Sequence, residues 1–257
     1  MRAFCMILLL AGIAGCAGPV SREVQSQLAP TGTLRVGLNL STTLLAIQDP
    51  ATGEMRGVAI DVARDLARRI GVPVRFVGYA TGQLDKTIGS GEWDVAFFAI
   101  EPARAQKVTF SPPYAEIEAT YLVREDSPIR SAKDVDRGDI TVAVTSGAGY
   151  ESMLARLLKH ARLLRTRGFA DSIKQLNDMK VDAVAGLKPD LLAYAGKQPD
   201  FRVVDGKFFA VEQAIGIQKG MEAADRYLRS YIAELKQSGF LAKSITDNKA
   251  AGLAIPQ

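Results

Sequence analysis

Between Thr33 and Ala99 the hydrophobic period of the sequence switches repeatedly, and that alternation restricts the fold more than any other feature. TLRVGLNL reads as a strand and is followed by a polar loop through Asp49-Pro50 and Thr52-Gly53. From Val58 to Ile70 the residues Val58, Val62, Leu66 and Ile70 recur every fourth position beside Ala59, Ala63 and Ala67, and Gly71 follows as a stop, which predicts an amphipathic helix. Arg64, Asp65, Arg68 and Arg69 fall on its expected solvent side, with Asp65 and Arg69 spaced as an i,i+4 pair. A strand from Val74 to Tyr79, a short helix near Leu84 to Ile88, the turn Gly89-Ser90-Gly91 and a strand from Val95 to Ala99 complete the unit. Parallel strands cannot be joined by a hairpin, so short links between alternating strands and helices predict a parallel sheet with crossover helices.

After Tyr114 the pattern restarts. Thr120 to Val123 and Ile140 to Thr145 read as strands, and the second enters SGAGYE, which opens a helix with Tyr150, Leu154, Leu157 and Leu158 on its apolar side. A helix around Ser172 to Met179, a strand Val181 to Ala185, a short helix Leu191 to Ala195 and strands at Phe201 to Val204 and Gln213 to Gln218 follow. The last helix carries Ala224, Tyr227, Leu228, Tyr231, Ile232 and Leu235 at helical spacing, with Gly239 past its end. The fold class is therefore α/β with two lobes, and the cleft between lobes is the expected ligand site.

One stretch, WDVAFFAIEPARAQKVTFSPPY from Trp93 to Tyr114, carries the expected chemistry. A buried strand passes through Glu101-Pro102 into a helical turn bearing Arg104; Pro102 suits the first turn of a helix, where an N–H has no partner anyway. Arg104 thus sits just past the C-terminal end of a strand, where open α/β sheets place ligand crevices.

A net charge of +4 over 257 residues, without basic runs interleaved with aromatics, argues against nucleic acid. At the N-terminus, Arg2 precedes an apolar run from Phe4 to Ile13 and then Ala14-Gly15-Cys16, which predicts a cleaved signal peptide too short to span a membrane. Ile13 to Cys16 resembles the bacterial lipobox, so residues 1–15 are expected to leave and Cys16 to be lipidated; an ordinary cleavage site that includes a Cys is the alternative. Cys5 leaves with the leader and His160 is the lone histidine, on an expected Lys- and Arg-rich helix, which disfavours a His/Cys metal cluster or a Cys/His nucleophile. No metal and no cofactor are expected. Residues 16–32 read as a tether and the folded part as beginning at Thr33.

In order along the chain, GTLRVG, RGVAIDVARDLARRIG, GSGEWDVAFFAIEPARAQKVTFSPPY, DITVAVTSGAGYE, VDAVAG, AIGIQKG and the final QSGF resemble the periplasmic solute-binding proteins of the amino-acid type, family 3. The resemblance covers Thr33 to Phe240 and implies a two-lobed binding protein that closes on a small molecule and delivers it to an ABC transporter permease. It implies lobe 1 over 33–115, lobe 2 over 116–212, a return to lobe 1 over 213–257 with the C-terminal helix, and hinges near Tyr114 to Glu118 and Ala210 to Ala214. A monomer in the periplasm is expected, held to the membrane by its lipid.

The resemblance also implies that Arg104 clamps a ligand carboxylate, a role suited to a planar guanidinium fork. The Gly147, Ala148 and Gly149 turn would offer backbone N–H groups to an anion from the second lobe. Further contacts are expected from Asn39, Thr42, Thr81, Phe97, Phe98 and Ala99. The family's ammonium-binding Asp falls, by count along VDAVAGL, on Leu187, and its usual hydroxyl residues fall on Ala148 and Gly149. Glu101 either replaces the missing carboxylate as a cation partner or simply caps the turn and pairs with Arg104. The expected ligand is a small carboxylate-bearing molecule, not necessarily a standard α-amino acid. A cyclohexadienyl dehydratase-like enzyme on the same fold and a tethered ligand sensor are the alternatives.

Overall fold

Residues 20–80 and 82–256 are described in the computed structural model of the chain. The expected leader, the lipidation site Cys16 and the expected contact Thr81 lie outside the described residues. The fold begins before Thr33, with helix α1 (Arg22–Leu28). Ser21 caps it by accepting the Val24 N–H at 3.2 Å, and Val24 and Leu28 are buried. Gln25 Nε2 donates to the Ile70 carbonyl, and Gln27 Oε1 accepts the Ala224 N–H. Residues 22–28 of the stretch read as a tether are therefore docked on the body. A helix this short repeats its apolar position only once, so no period announces it.

Lobe 1 continues through β1 (Leu34–Asn39), the hairpin β2 (Ile47–Gln48) and β3 (Met55–Arg56), α2 (Val58–Ile70), β4 (Val74–Tyr79), a 3-10 turn Leu84–Thr87, β5 (Val95–Ala99), α3 (Pro102–Ala105) and β6 (Val108–Phe110). β1 pairs in parallel with both β4 and β5. Gly71 closes α2 with φ of 73° and donates its N–H to the last carbonyls, as the stop signal predicts. Asp65 departs from its reading as a solvent-side residue. It is buried, accepts from Arg69 Nε at 2.7 Å and from Arg68, and Arg69 extends onward to Glu234. The C-terminal helix covers that side of α2, which the period of α2 alone cannot reveal.

β7 (Ala115–Arg124) leaves lobe 1, and lobe 2 is built from β8 (Thr141–Thr145), α4 (Glu151–Leu157), β9 (Arg162–Thr166), α5 (Phe169–Asn177), β10 (Ala183–Leu187), α6 (Lys188–Ala195) and β11 (Phe201–Val203). β12 (Phe209–Gln218) returns to lobe 1, where α7 (Glu222–Gln237), α8 (Phe240–Asp247) and β13 (Leu253–Ala254) finish the chain. The main sheet runs β4-β1-β5-β12-β7-β10-β8-β9. β7 and β12 pair antiparallel from Ala115 opposite Gln213 to Ala119 opposite Phe209. Past that stretch β12 joins β5 and β6, while β7 joins β10 and β11. Both expected hinge segments lie on this shared crossing.

The cores divide the same way. Val36, Val58, Leu66, Tyr114, Leu228 and Ile232 belong to one buried cluster of lobe 1, and Leu84, Trp93, Phe98 and Val108 fill the other face of its sheet. Tyr121, Val142, Leu154 and Val204 form one cluster of lobe 2, and Leu176, Val184 and Leu191 another. His160 does not sit on a helix: α4 ends at Leu157 as Leu158 turns extended, and the backbone N–H groups of Lys159, His160 and Ala161 converge on Asp136 in the bend that follows.

Candidate functional site

The C-terminal ends of β1, β5, β8 and β10 face one another across a cavity of about 660 Å³. Asn39, Thr42, Phe97, Phe98, Ala99 and Arg104 line it from lobe 1; Gly147, Ala148, Gly149 and Leu187 line it from lobe 2. A cleft at strand C-termini is where the fold concentrates loop backbone and helix starts, and its size suits a small ligand. Glu101 lies behind Arg104 and does not appear on the lining. Asp85, Phe169, Asp190, Tyr194 and Gln213 also line the cavity, and sequence reasoning missed them.

Arg104 is placed by α3, which starts at Pro102 directly after the β5 strand end. Its side chain is nearly buried, 11 % exposed, with the guanidinium over the Phe98 ring at 5.6 Å. One edge of its fork faces Asp85: Nε donates to Oδ1 at 2.5 Å and Nη2 to Oδ2 at 2.9 Å. Nη1 donates to the Ala99 carbonyl at 2.9 Å and lies 3.5 Å from Glu101 Oε1. Burial works against the charge of Arg104, but the hydrogen bonds to Asp85 and the two carboxylate charges outweigh it and raise its pKa.

Glu101 occupies the N-cap position of α3 without making a side-chain cap bond. Its Oε1 is buried with no hydrogen-bond partner, so its contact with Arg104 is one of charge only. Burial pushes its pKa up; Arg104 opposes that, while Asp85 and Glu151 add to it.

In the lobe 2 turn the Gly147 N–H donates to Glu151 Oε2 at 2.7 Å, and the Ala148 N–H to the Thr145 carbonyl at 3.2 Å. Two of the N–H groups expected to meet an anion are thus satisfied within the lobe. Gly149 explains its own departure from the family's hydroxyl residues. A Cβ there would stand 2.4 Å from Ala99 Cβ and 3.3 Å from Val211 Cγ1, so only glycine lets the lobes approach this closely. Gly147, at φ of 77°, comes up against the Gly82 backbone in the same way.

Leu187 ends β10 and offers an apolar side chain where the family's Asp was expected. Asp190 stands in the first turn of α6, and its carboxylate has no hydrogen-bond or ion-pair partner among the described residues; burial raises its pKa. Tyr194, one turn farther along α6, packs edge-on to Phe169 with ring centroids 5.8 Å apart. Counting along the strand misses Asp190 because the chain turns into a helix at Lys188 and brings residue 190 back to the cleft.

The family described as bacterial extracellular solute-binding proteins, family 3, matches residues 34–247. The glutamine-binding protein of Geobacillus stearothermophilus is 25% identical over 241 residues, covering 83% of this chain and 89% of that protein. The glutamate-binding protein GluB of Corynebacterium efficiens is 27% identical over 233 residues, covering 84% and 79%. Among solved structures, the ancestral amino acid-binding protein AncCDT-1, described as a precursor of cyclohexadienyl dehydratase, has a TM-score of 0.71 and 26% identity over 87% of this chain and 97% of its own. A mutant of ArgBP from T. maritima gives a TM-score of 0.71 and 25% identity over 88% and 99%. With its two lobes, its crossing strands and a match over most of its length, the chain belongs to the bacterial extracellular solute-binding proteins, family 3.

Proposed function

We propose that this protein captures an amino-acid-type solute in the periplasm, closes its lobes on it and hands it to an ABC transporter permease. The carrying observation is the cavity of about 660 Å³ walled by strand ends and helix starts of both lobes, since a ligand lying there stabilises the closed arrangement by touching both. Relatives named for binding glutamine and glutamate support the solute class. They are named as binding proteins, and this chain is read likewise as a binding protein and not an enzyme.

Asn39, Thr42, Thr81, Phe97, Phe98 and Ala99 on lobe 1, with Gly147, Ala148, Gly149 and Leu187 on lobe 2, are the proposed contacts, and Arg104, with the charge of Glu101 beside it but off the lining, forms the charged floor of the lobe 1 side. The protein acts as a monomer and is held to the membrane through a lipid on Cys16. No helix among the described residues is long and apolar enough to cross a membrane.

A native mass spectrum of the mature protein tests the reading: it carries a small molecule of amino-acid size, and Arg104→Ala loses it. Retention of the same molecule at wild-type affinity by Arg104→Ala would remove that side chain from the site. Cys16→Ser tests the anchor, and is expected to move the protein from the membrane fraction to the soluble periplasm.

A further inference from the structure

The hinge strand β7 is paired along both edges, and the second edge is broken at the lobe boundary. One edge carries β12 from Ala115 to Ala119 and then β11 from Leu122 to Arg124. The other carries β13 at Glu116 and Ile117, where β12 already holds the first edge, and then β10 from Ala119 to Leu122. β10 and β13 both run antiparallel to β7, so they lie end to end as one strand interrupted opposite Glu118. β10 belongs to lobe 2, whereas β13 arrives from α8 of lobe 1.

The two ends meet without slack. Gly252, directly before β13, has φ of 105°, and a Cβ on it would overlap the ring of Pro189, the second residue of α6. Both the conformation and the approach require glycine. Leu187, the last residue of β10, packs against buried clusters of both lobes, and Leu253 and Ile255 pack against the same lobe 1 cluster. Pro256 is buried as well. Opposite the break, Glu118 takes Lys188 Nζ of α6 at 2.8 Å and Lys207 Nζ at 3.1 Å. Leu187 also lines the cavity, whereas Pro189 and Gly252 do not.

Resting on the reading that the lobes close on a solute, we infer that residues 251–256 form a strap that braces the closed arrangement, seated on the hinge strand and butted against Pro189 of lobe 2. β10 runs toward lobe 1 with its end on the cleft, so closing drives Leu187 and Pro189 toward β13, and opening withdraws them. An apolar contact made in one state and lost in the other shifts the balance between the two. Pro189 and Gly252 are therefore positioning residues: they set how much closed form exists before a solute arrives.

Electron spin resonance between labels at Ala233→Cys of lobe 1 and Asn177→Cys of lobe 2, both exposed, measures the distance between lobes in the mature chain carrying Cys16→Ser. It is read on the protein as purified and after bound solute is stripped by unfolding and refolding. The stripped wild-type chain is expected to show an open and a closed distance. Ending the chain at Ala250 lowers the closed-to-open ratio about tenfold, the effect of one or two lost hydrogen bonds and their packing. Pro189→Ala lowers it about threefold, through lost ring contacts alone. In the shortened chain Pro189→Ala has no further effect, because it acts through the strap. Melting curves check that each variant is folded; if the shortened chain is not, Gly252→Ala in the full-length chain takes its place and lowers the ratio as well. A wild-type ratio in the folded variants, a Pro189→Ala effect undiminished without the strap, or a stripped wild-type chain with no closed fraction overturns the inference and leaves solute capture standing. One unchanged distance in purified and stripped wild-type protein, with no co-purifying small molecule, overturns the reading of closure on a solute itself.

Discussion

At Gly149 a missing side chain decides how the lobes meet. Its place for a Cβ lies 2.4 Å from Ala99 Cβ, and those two atoms belong to opposite lobes. Overpacking of this kind costs about 1–3 kcal/mol, and here the lobes can relieve it by parting. Gly149→Val should therefore lower solute affinity by about tenfold or more, and it should also lower the melting temperature without ligand, because Ala99 and Val211 belong to the buried cluster of lobe 2. Calorimetry with thermal melts on the same variant checks both halves. Glu101 makes the opposite kind of statement. Burial raises its folded-state pKa, so its contribution to stability is present below the unfolded glutamate range and is lost as pH rises through the raised value. Glu101→Gln is expected to melt higher than wild type at neutral pH, and the difference should vanish in acid; a lower melting point at neutral pH would mean that the charge contact with Arg104 dominates.

Elements with a sustained hydrophobic period are legible in the sequence alone. The strand from Val74 to Tyr79 and the strand from Val95 to Ala99 have their predicted ends, and α2 stops at its glycine. Elements that owe their existence to docking are not legible in this way. α1 has only Val24 and Leu28 to bury, and α8 follows α7 directly through Gly239 in the left-handed conformation, so neither shows a period of its own. Leu28 is fully buried against lobe 1, and Leu28→Ala should cost about 3 kcal/mol in urea unfolding. A change under about 0.5 kcal/mol, the range of exposed positions, would restore the reading of this stretch as a tether.

For the whole molecule, two lobes share one sheet through β7 and β12, so a solute that touches both lobes acts on the entire fold. Ligand at a hundred times its Kd stabilises the folded form by about 2.7 kcal/mol. Saturating solute should accordingly raise the melting temperature of the wild-type chain, and much less that of Gly149→Val, whose lobes are held apart. Equal rises in the two proteins would show that the solute binds one lobe only.

The sequence by itself determined the lobes, the order of most strands, the family and the cleft, because these follow from hydrophobic period, turn residues and motif order, all of which are local along the chain. It also named part of the cleft lining. Only the tertiary structure decided what those residues face. Asp85 and Arg104 are separated by β5 and its preceding turn, Leu187 and Asp190 by the start of α6, and Gly149 and Ala99 by the width of the cleft. Charge pairing and steric contact act through space, so the partner of the one arginine that the sequence singled out was settled by folding.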